Sequence, residues 1–372
     1  MPVSDQPVPN PPAPAVAAGT EPFHGHLHGK RRRMVRRALD RLLGQVASVA
    51  PGTLPTTGIH RVLVLRPNHR LGNMLLVAPL LAELERLYPG AEVDIVGAGQ
   101  AAATVFTGYP TVRAIENLHQ RIVRHLPATF ALLGRLRKTT YDLAIDAGGG
   151  SQSGRLLLAL SRARYKLDCA ESSTPDPHRP RHLAQRPVHA LRRAYAGDAA
   201  GAWPVMDLRL DDHERMRGRH LLLKVLGALA PGPDSLVVAI FANATGPKRQ
   251  GTEWWNTFIG ALEVPGRDIR IVEIVAAHAV SQLQSRHATF YSRDLRKMAA
   301  VIGAADVFIS ADCGVMHLAA ASGVRTFGLF SVTDAGKYAP YGNGSAAIDN
   351  RSGDPLAAAR FIRANLMGLL NS

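Results

Sequence analysis

The segment from Asp306 to Ser331, "DVFISADCGVMHLAAASGVRTFGLFS", decides the fold class of this chain. Two apolar runs flank an alanine-rich stretch with helical spacing, so the segment predicts a strand, a helix and a second, parallel strand. Parallel sheets bind their ligands at the carboxyl ends of the strands. Four residues that could contribute to a ligand site lie at this end of the first strand: Asp312, Cys313, Gly314 and His317.

These four residues predict an anion site. The first turn of a helix has free backbone N–H groups, and the helix dipole adds to their attraction for negative charge. Gly314 lets a phosphate approach the backbone closely, and His317 can donate a hydrogen bond or a charge. The alternative is structural, with Asp312 capping the helix and His317 serving as a hydrogen-bonded histidine of the core.

Strands and helices alternate in two series along the chain. The first series contains three strand patterns and an amphipathic helix that Pro79 can start: "HRVLVLRP", "MLLVAPLLAELERLYPG", "AEVDIVGAG" and "YDLAIDAGGG". The second series follows the linker-like Ala230–Asp234 and ends with a closing helix, "PLAAARFIRANLMGLL". Two α/β halves with parallel sheets and a cleft between them are therefore predicted. The turn "RPNHRLGN" has one glycine, which argues against the dinucleotide fingerprint of a dehydrogenase.

The composition limits the classes of protein to which this chain can belong. The 372 residues suffice for two domains, and 46% hydrophobic residues can form substantial cores. The two cysteines, Cys169 and Cys313, lie far apart in the sequence and lack the spacing of a metal site. Two distant cysteines exclude a disulfide scaffold and favour a reducing compartment. We expect no membrane span, because no apolar run reaches about 18 residues, and no secretory signal at the N-terminus.

Positive charge is concentrated in the first half of the chain. The net charge is +15, and residues 1–200 hold 26 Lys and Arg against 14 Asp and Glu. This excess predicts an anionic partner. Residues 1–22 are rich in Pro and Ala and are predicted to be disordered. Residues 29–46 form a basic amphipathic pattern, typical either of a helix on anionic lipid or of a solvated surface helix.

Four landmarks in the sequence resemble glycosyltransferase family 9, the ADP-heptose:lipopolysaccharide heptosyltransferases. "ADVFISADCGVMHLAAASGVRTFGLFSVTD" is similar to the family's Asp-(Ser/Thr)-Gly-x-x-His motif, with Cys313 replacing the hydroxyl residue, and to its later Gly-Pro-Thr-Asp-type loop at residues 331–334. The other three landmarks occur in the family's order: "RVLVLRPNHRLGNMLLVAPLLAELERLYPGAEVDIV", "YDLAIDAGGGSQSGRLLLALSRARYKLD" and "FANATGPKRQGTEWWNTFIGAL". Together the landmarks cover roughly residues 60–345.

The resemblance implies a GT-B fold, in which two Rossmann-like domains face each other across a cleft. Residues 1–57 would be a tail carrying the basic helix, residues 58–233 the acceptor-binding domain, and residues 234–372 the domain that binds the nucleotide-sugar. The implied activity is inverting transfer of a sugar, a heptose from ADP-heptose, to the lipopolysaccharide core or another cell-envelope glycan. The family usually needs no metal, and we expect no cofactor. The implied location is the cytoplasm, with peripheral association at the inner face of the cytoplasmic membrane.

The resemblance also implies a donor site. The residues that would bind the donor are Thr245, Lys248, Asp312, Cys313, Gly314 and His317. A departing diphosphate needs cations and helix N–H groups around it, and Lys248 falls on the family's lysine. Asp312 would bind donor hydroxyls. The alternatives are a solvated Lys248 and an Asp312 that only caps its helix.

One position departs from the family pattern. The family's turn after the first strand reads Gly-Asp, and that aspartate is its proposed general base, whereas this chain has Asn73 there. An amide oxygen is scarcely basic and cannot accept the proton at neutral pH. Either another group is the base, with Asp146 and His69 as candidates at strand ends, or Asn73 only positions a reactive acceptor, or the protein binds its ligands without turnover.

The segment from His178 to Arg193 is rich in arginine and contains no acid. The resemblance places it at a loop facing the acceptor, where Arg179 and Arg181 would bind phosphate groups of an anionic glycolipid. Nucleic acid is the alternative for any basic cluster, but only Tyr195 nearby could stack on a base, so we expect no nucleic-acid partner. Two functions remain: a glycosyltransferase, and a catalytically lapsed relative that binds nucleotide-sugar or glycolipid.

Overall fold

The computed structural model describes residues 48–119, 126–170, 176–232, 234–263 and 266–370. All of them lie in one compact unit, Val46–Ser372. The predicted disordered segment at residues 1–22 and the predicted basic helix at residues 29–46 lie outside the described residues. In the described part of the chain, no helix is long and apolar enough to cross a lipid bilayer.

The first half of the compact unit is built on a five-stranded parallel sheet with the strand order β3-β2-β1-β4-β5. Its strands are β1 Arg61–Leu65, β2 Glu92–Gly97, β3 Val112–Asn117, β4 Tyr141–Asp146 and β5 Ala163–Asp168. The central strand β1 is buried along its last four residues, because helices cover both faces of a parallel sheet. Leu65 pairs with Asp146, so the turns after β1 and β4 share one edge of this sheet.

The second half is built on a six-stranded parallel sheet with the order β11-β10-β9-β6-β7-β8. Its strands are β6 Ser235–Phe241, β7 Asp268–Val275, β8 Ala288–Tyr291, β9 Val307–Ala311, β10 Arg325–Phe330 and β11 Ala346–Asp349. The predicted strand, helix and parallel strand of Asp306–Ser331 are all present, with β9 buried throughout and paired to both β6 and β10.

Helices cover the two sheets and connect their strands. In the described residues they are α1 Leu71–Leu75, α2 Ala78–Leu87, α3 Ala101–Phe106, α4 Leu126–Lys138, α5 Gln152–Leu160, α6 Gln185–Ala194, α7 Asp212–Leu226, α8 Thr252–Gly260, α9 Leu295–Gly303, α10 Gly314–Ala321, α11 Ala335–Tyr338 and α12 Pro355–Leu370. Pro79 lies in the first turn of α2, as predicted, where its missing N–H removes no intrahelical bond.

Residues ahead of β1 belong to the folded unit. Leu54 is fully buried in the core of the first half. Its N–H donates to the carbonyl of Ala194 at 2.8 Å, and its own carbonyl accepts from the N–H of Ala196 at 2.8 Å. The folded unit therefore begins upstream of the predicted boundary between residues 57 and 58.

The two halves meet where α1 packs against α10. This pair joins the turn after β1 to the turn after β9. α7 lies against elements of the second half, namely α9 and β8. Its backbone comes close to α9 at Gly218, where an added methyl group would lie 2.3 Å from the carbonyl oxygen of Ala300. The predicted domain boundary between residues 233 and 234 stays a prediction.

Candidate functional site

The candidate site lies where α1 of the first half meets α10 of the second half. Each helix follows the carboxyl end of a central strand, β1 or β9. A methyl group added to Gly72 of α1 would lie 2.8 Å from Cδ2 of His317 and 3.5 Å from Cα of Gly314. Glycine is the residue that fits this approach without displacing a neighbour. The predicted anion turn therefore touches the turn after β1 directly.

Asp312 is the centre of a hydrogen-bonded cluster at the carboxyl end of β9. Its Oδ2 accepts from Nζ of Lys248 at 2.7 Å and from Oγ1 of Thr333 at 2.5 Å. The Asp312 side chain is only 8% exposed, so the ion pair with Lys248 is largely shielded from water. Asp312 does not cap α10, because the N-cap residue is Cys313. The structure thus brings together two predicted donor residues and the loop at residues 331–334.

His317 lies on the first turn of α10 and is 3% exposed. Its Nδ1 is buried and has no hydrogen-bond partner. Burial lowers the pKa of His317 to about 4, and the Asp312 carboxylate acts in the opposite direction. The ring is therefore neutral near pH 7. An unpaired buried nitrogen disagrees with the alternative of a hydrogen-bonded core histidine and is consistent with a ligand-binding role.

The turn between β9 and α10 supplies backbone donors. Cys313 makes no side-chain cap bond, and burial raises the pKa of its thiol, so the side chain stays neutral. Gly314 is the first residue of α10, whose opening N–H groups have no helical partner. Thr245 is exposed and precedes the short 3₁₀ helix Gly246–Lys248 that carries Lys248. Helix N–H groups, a cation and an imidazole together form the chemistry of an anion site.

Asn73 lies in α1 beside Gly72, and its side-chain amide makes no hydrogen bond to a described residue. Its backbone carbonyl accepts from Nε of Arg66 at 3.3 Å. Nη1 of Arg66 also donates to the carbonyl of Ala147 at 3.4 Å. Arg66 therefore connects the turn after β1 to the turn after β4 and fixes the backbone that carries Asn73.

Asp146 ends β4 and is completely buried. Its Oδ1 accepts from the N–H of Gly148 at 2.9 Å, whereas Oδ2 has no partner. Burial raises the pKa of Asp146 to about 7; the Gly148 N–H acts in the opposite direction, and the charge of Asp168 raises it further. The carboxyl group is covered by Gly154, where an added methyl group would lie 2.5 Å from Oδ1.

His69 lies in the turn after β1 and is exposed. It makes no hydrogen bond to a described residue, and its Cβ would be 3.8 Å from a methyl group on Gly99. The two predicted base candidates thus share one edge of the first sheet but have opposite environments. Asp146 is shielded from solvent, and His69 is open to it.

Part of the basic segment has a structural role. Residues 185–194 form α6 rather than a loop. Arg192 donates through Nε and Nη2 to the two oxygens of the fully buried Glu83, both at 2.9 Å. Arg193 pairs with Asp176 at 2.6 Å. These two cations are neutralised by acids elsewhere in the chain, so they add little to a free anionic-ligand surface.

The two arginines predicted to bind the acceptor are also engaged. Nη2 of Arg179 donates to the carbonyl of Cys169 at 3.0 Å. Nη2 of Arg181 lies 3.2 Å from Oδ2 of Asp334, in the second half, with the arginine side chain 76% exposed. An exposed pair of this kind contributes little to stability, so the Arg181 guanidinium remains available to a ligand.

Two residues near the site were not singled out from the sequence: Arg66 and Tyr338. Thr333 was named only as part of the later loop of the family resemblance. Arg66 has a weak signal as a cation directly after a buried strand. Tyr338 has none, because it is brought to the site only by the packing of α11. In the described part of the chain, no three His, Cys, Asp or Glu side chains are grouped as a metal site would require.

Comparisons with known proteins identify part of the chain by sequence. Residues 276–357 match the family profile "Glycosyltransferase family 9 (heptosyltransferase)". This match includes the turn from Asp312 to His317 and the loop at residues 331–334. No curated protein sequence matches the chain.

Solved structures are similar over most of the chain. A glycosyltransferase family 9 protein from Veillonella parvula DSM 2008 has a TM-score of 0.67 at 14% identity, covering 84% of this chain and 98% of its own. The E. coli heptosyltransferase WaaC with ADP has a TM-score of 0.62 at 20% identity, covering 82% and 99%. The E. coli ADP-heptose lps heptosyltransferase II has a TM-score of 0.57 at 15% identity, covering 83% and 99%.

These similarities confirm the predicted architecture of two parallel-sheet α/β domains, the GT-B fold. WaaC has also been solved with ADP-2-deoxy-2-fluoro heptose, at a TM-score of 0.60 and 19% identity. Residues 276–357 thus match the sequence profile of glycosyltransferase family 9, within a two-domain fold similar to that of solved heptosyltransferases.

Proposed function

We propose that this protein is an inverting glycosyltransferase that transfers a heptose from ADP-heptose to the lipopolysaccharide core or another cell-envelope glycan. The observation that carries the proposal is the contact between Gly72 and the α10 turn. It supports the proposal because α1, which holds Asn73 where the resemblance puts the family's base, lies directly against the turn that we expect to bind the anion. A donor phosphate and an acceptor hydroxyl bound on these two elements would be neighbours, as transfer requires.

The donor half of the proposal rests on the cluster around Asp312. Lys248, His317 and the N–H groups at the start of α10 would hold the diphosphate, while Thr245 and Asp312 would contact the phosphate and the donor hydroxyls. WaaC, which shares the fold, binds ADP and ADP-2-deoxy-2-fluoro heptose, and this supports ADP-heptose as the donor. Transfer would be metal-independent, because a cation and helix N–H groups can neutralise the departing diphosphate.

In the proposed reaction the acceptor hydroxyl oxygen attacks the anomeric carbon of the donor from the face opposite the diphosphate. The new C–O bond forms as the bond to the diphosphate breaks, so the configuration inverts and ADP leaves with the electron pair. Asn73 would position the hydroxyl. Asp146 would take its proton, because its pKa of about 7 suits a base at neutral pH. Because Asp146 is buried beneath Gly154 and bonded to the Gly148 N–H, this cover would have to open before proton transfer. His69 is the exposed alternative.

The acceptor half of the proposal is an anionic glycolipid. Arg181 is the predicted contact with the most exposed guanidinium, and Arg179 lies in the same segment. The excess positive charge of residues 1–200 supports an anionic acceptor and peripheral binding at the cytoplasmic face of the inner membrane. The predicted partners do not include nucleic acid.

A second function is favoured by one specific observation. Position 73 is an amide, and Asp146, the candidate base at the same edge of the first sheet, has no exposed surface. A catalytically lapsed protein that binds nucleotide-sugar or anionic glycolipid without turnover would show these same features.

The test uses full-length protein, ADP-heptose and a heptose-free lipopolysaccharide core as the acceptor. We expect ADP binding by calorimetry and release of ADP coupled to formation of the heptosylated acceptor. Binding of ADP-heptose without product would identify the lapsed relative, and Asn73→Asp would then be the variant to restore transfer. Failure to bind either ADP or ADP-heptose would rule out both functions.

A further inference from the structure

Tyr338 lies at the junction of the two halves, shortly after the loop at residues 331–334. It ends the short helix α11, and its ring centroid is 6.5 Å from that of His317 at a tilt of 56°. Its side chain is partly exposed, and its hydroxyl makes no hydrogen bond to a described residue.

The first half holds the backbone on both sides of Tyr338. The N–H of Leu183 donates to the carbonyl of Lys337 at 3.1 Å. His182 bonds through Nε2 to the carbonyl of Ala339 at 2.9 Å. These two bonds hold the backbone of the residues directly before and after Tyr338. We call the segment Arg181–Leu183 the bracket.

The chemistry of His182 fixes the direction of its bond. Its Nδ1 accepts from the N–H of Ala184 at 3.2 Å, so the proton of the neutral ring must lie on Nε2, which donates to the Ala339 carbonyl. His182 is 8% exposed, and its ring packs edge-on against Tyr341 with the centroids 4.9 Å apart. The bracket is therefore a packed, hydrogen-bonded contact between the two halves rather than a loose contact at the surface.

We propose that Tyr338 is a substrate-contacting residue whose hydroxyl bonds the sugar that is being transferred, and that His182 is a positioning residue which holds Tyr338 there through the Ala339 carbonyl. The inference rests on the proposed function and adds a sugar contact to it. The phosphate side of the site already has Lys248, His317 and the α10 N–H groups. The Tyr338 phenol lies beside His317 where the two halves meet, and there it would contact the group that passes from donor to acceptor.

The test compares ADP with ADP-heptose as ligands of full-length protein. In calorimetric titrations Tyr338→Phe should weaken ADP-heptose binding about three- to tenfold, the effect of one neutral hydrogen bond, and leave ADP binding unchanged. Tyr341→Phe is the matched control, because the Tyr341 hydroxyl donates to the carbonyl of Pro204 at 2.8 Å. It should lower the melting temperature without changing the ratio of the two affinities.

His182 is tested by rescue. His182→Phe keeps the ring against Tyr341 but loses the Nε2 donor, so it should reproduce the selective loss of ADP-heptose affinity seen for Tyr338→Phe. His182→Gln keeps an N–H near the Nε2 position and should restore wild-type selectivity. A general loss of ADP and ADP-heptose affinity in His182→Phe, not rescued by His182→Gln, would mean that the bracket is structural and would overturn its role.

Tyr338→Phe with unchanged ADP-heptose affinity, or with equal losses for the two ligands, would overturn the sugar contact while the proposed function stands. Wild-type protein that binds neither ligand would instead overturn the proposed function, and the sugar contact with it. Melting temperatures of all variants show whether a loss of binding comes from a loss of fold.

Discussion

The two sides of the candidate site differ in how their polar groups are satisfied. In the second half, Lys248, Asp312 and Thr333 bind one another, and the neighbouring α10 turn offers its N–H groups. In the first half, the Asn73 amide has no partner among the described residues, and Oδ2 of Asp146 is buried without one. Under the proposed function, the second half is a preorganised donor side, and the first half is an acceptor side without a placed base.

This difference coincides with the sequence similarity to glycosyltransferase family 9. The profile match covers residues 276–357, on the organised side, and the amide at position 73 is on the other. Under the proposed function, binding of the nucleotide diphosphate would need only the second half's turn. Deprotonation of an acceptor would need groups of the first half, so variants there should separate binding from turnover.

The largest expected effect is on the acceptor side, at Asp146. If Asp146 is the base, Asp146→Asn should lower kcat about 10²–10⁴-fold, with ADP affinity unchanged. Wild-type kcat should rise with pH through about 7, since the carboxyl group must lose its proton to act, and this limb should vanish in the variant. The measurement is a pH profile of ADP-heptose turnover.

His69→Ala is the control for that pH profile. Asn73→Ala tests whether Asn73 positions the acceptor hydroxyl. Near-normal turnover of Asp146→Asn together with a strong loss in Asn73→Ala would assign positioning by Asn73 as the main contribution. A loss confined to His69→Ala would identify the imidazole as the base.

The next effect is on the donor side, at Lys248. Loss of one charge-assisted bond to the diphosphate should cost about 1.5–3 kcal/mol of ADP affinity in Lys248→Ala. The variant also leaves the shielded Asp312 carboxylate with only Thr333, so its melting temperature should fall. Arg249→Ala is the control, because Arg249 is an exposed neighbour that bonds Gln282 instead. Equal ADP affinities of the two variants would count against the donor site.

A smaller effect is expected where the two sides touch. Gly72→Ala places a methyl group 2.8 Å from the His317 ring, so we expect a destabilisation of about 1–3 kcal/mol and a loss of turnover. Gly134→Ala in α4 has no atom within 4 Å of the added methyl group and should stabilise by about 0.5–1 kcal/mol. Denaturant unfolding and turnover of both variants test the contact. Unchanged stability in Gly72→Ala would show that the two helices separate at no cost.

The smallest effect concerns the proton on His317. Its pKa is about 4 in the empty site, and a bound diphosphate should raise that pKa because an anion favours the charged ring. The complex then binds more protons than the free protein, so ADP affinity should increase as the pH falls below neutrality. Calorimetry in two buffers of different ionisation enthalpy measures the uptake. In His317→Gln, the remaining proton uptake on binding comes from ADP itself. Equal proton uptake by the wild-type protein and His317→Gln would contradict the prediction.

Many of the strands could be predicted from the sequence, and those that were missed share one property. β3 and β5 lie at the two edges of the first sheet, and β11 and β8 at the two edges of the second. Edge strands are buried on fewer sides, so β3, "VRAIEN", and β5, "ARYKLD", mix charges with apolar residues and give no continuous hydrophobic run. The strands β1, β2, β4, β9 and β10 gave such runs and were predicted at nearly their observed positions.

The sequence by itself determined the local chemistry of the site. The β9 strand, the turn from Asp312 to His317 and the α10 helix are neighbours along the chain, and their hydrophobic period and turn residues specify them without distant contacts. The position of Lys248 beside them was predicted only through the family resemblance. The amide at position 73 could likewise be recognised as a departure before any fold was known.

Tertiary structure alone decided which distant groups meet. Gly72 contacts His317, Arg181 pairs with Asp334 across 153 residues of sequence, and His182 holds the backbone beside Tyr338. It also decided that Asp146 is buried with its pKa near 7, because the covering Gly154 arrives with α5. The physical reason is that local periodicity fixes which face of a strand or helix is buried, while long-range packing fixes what lies against that face.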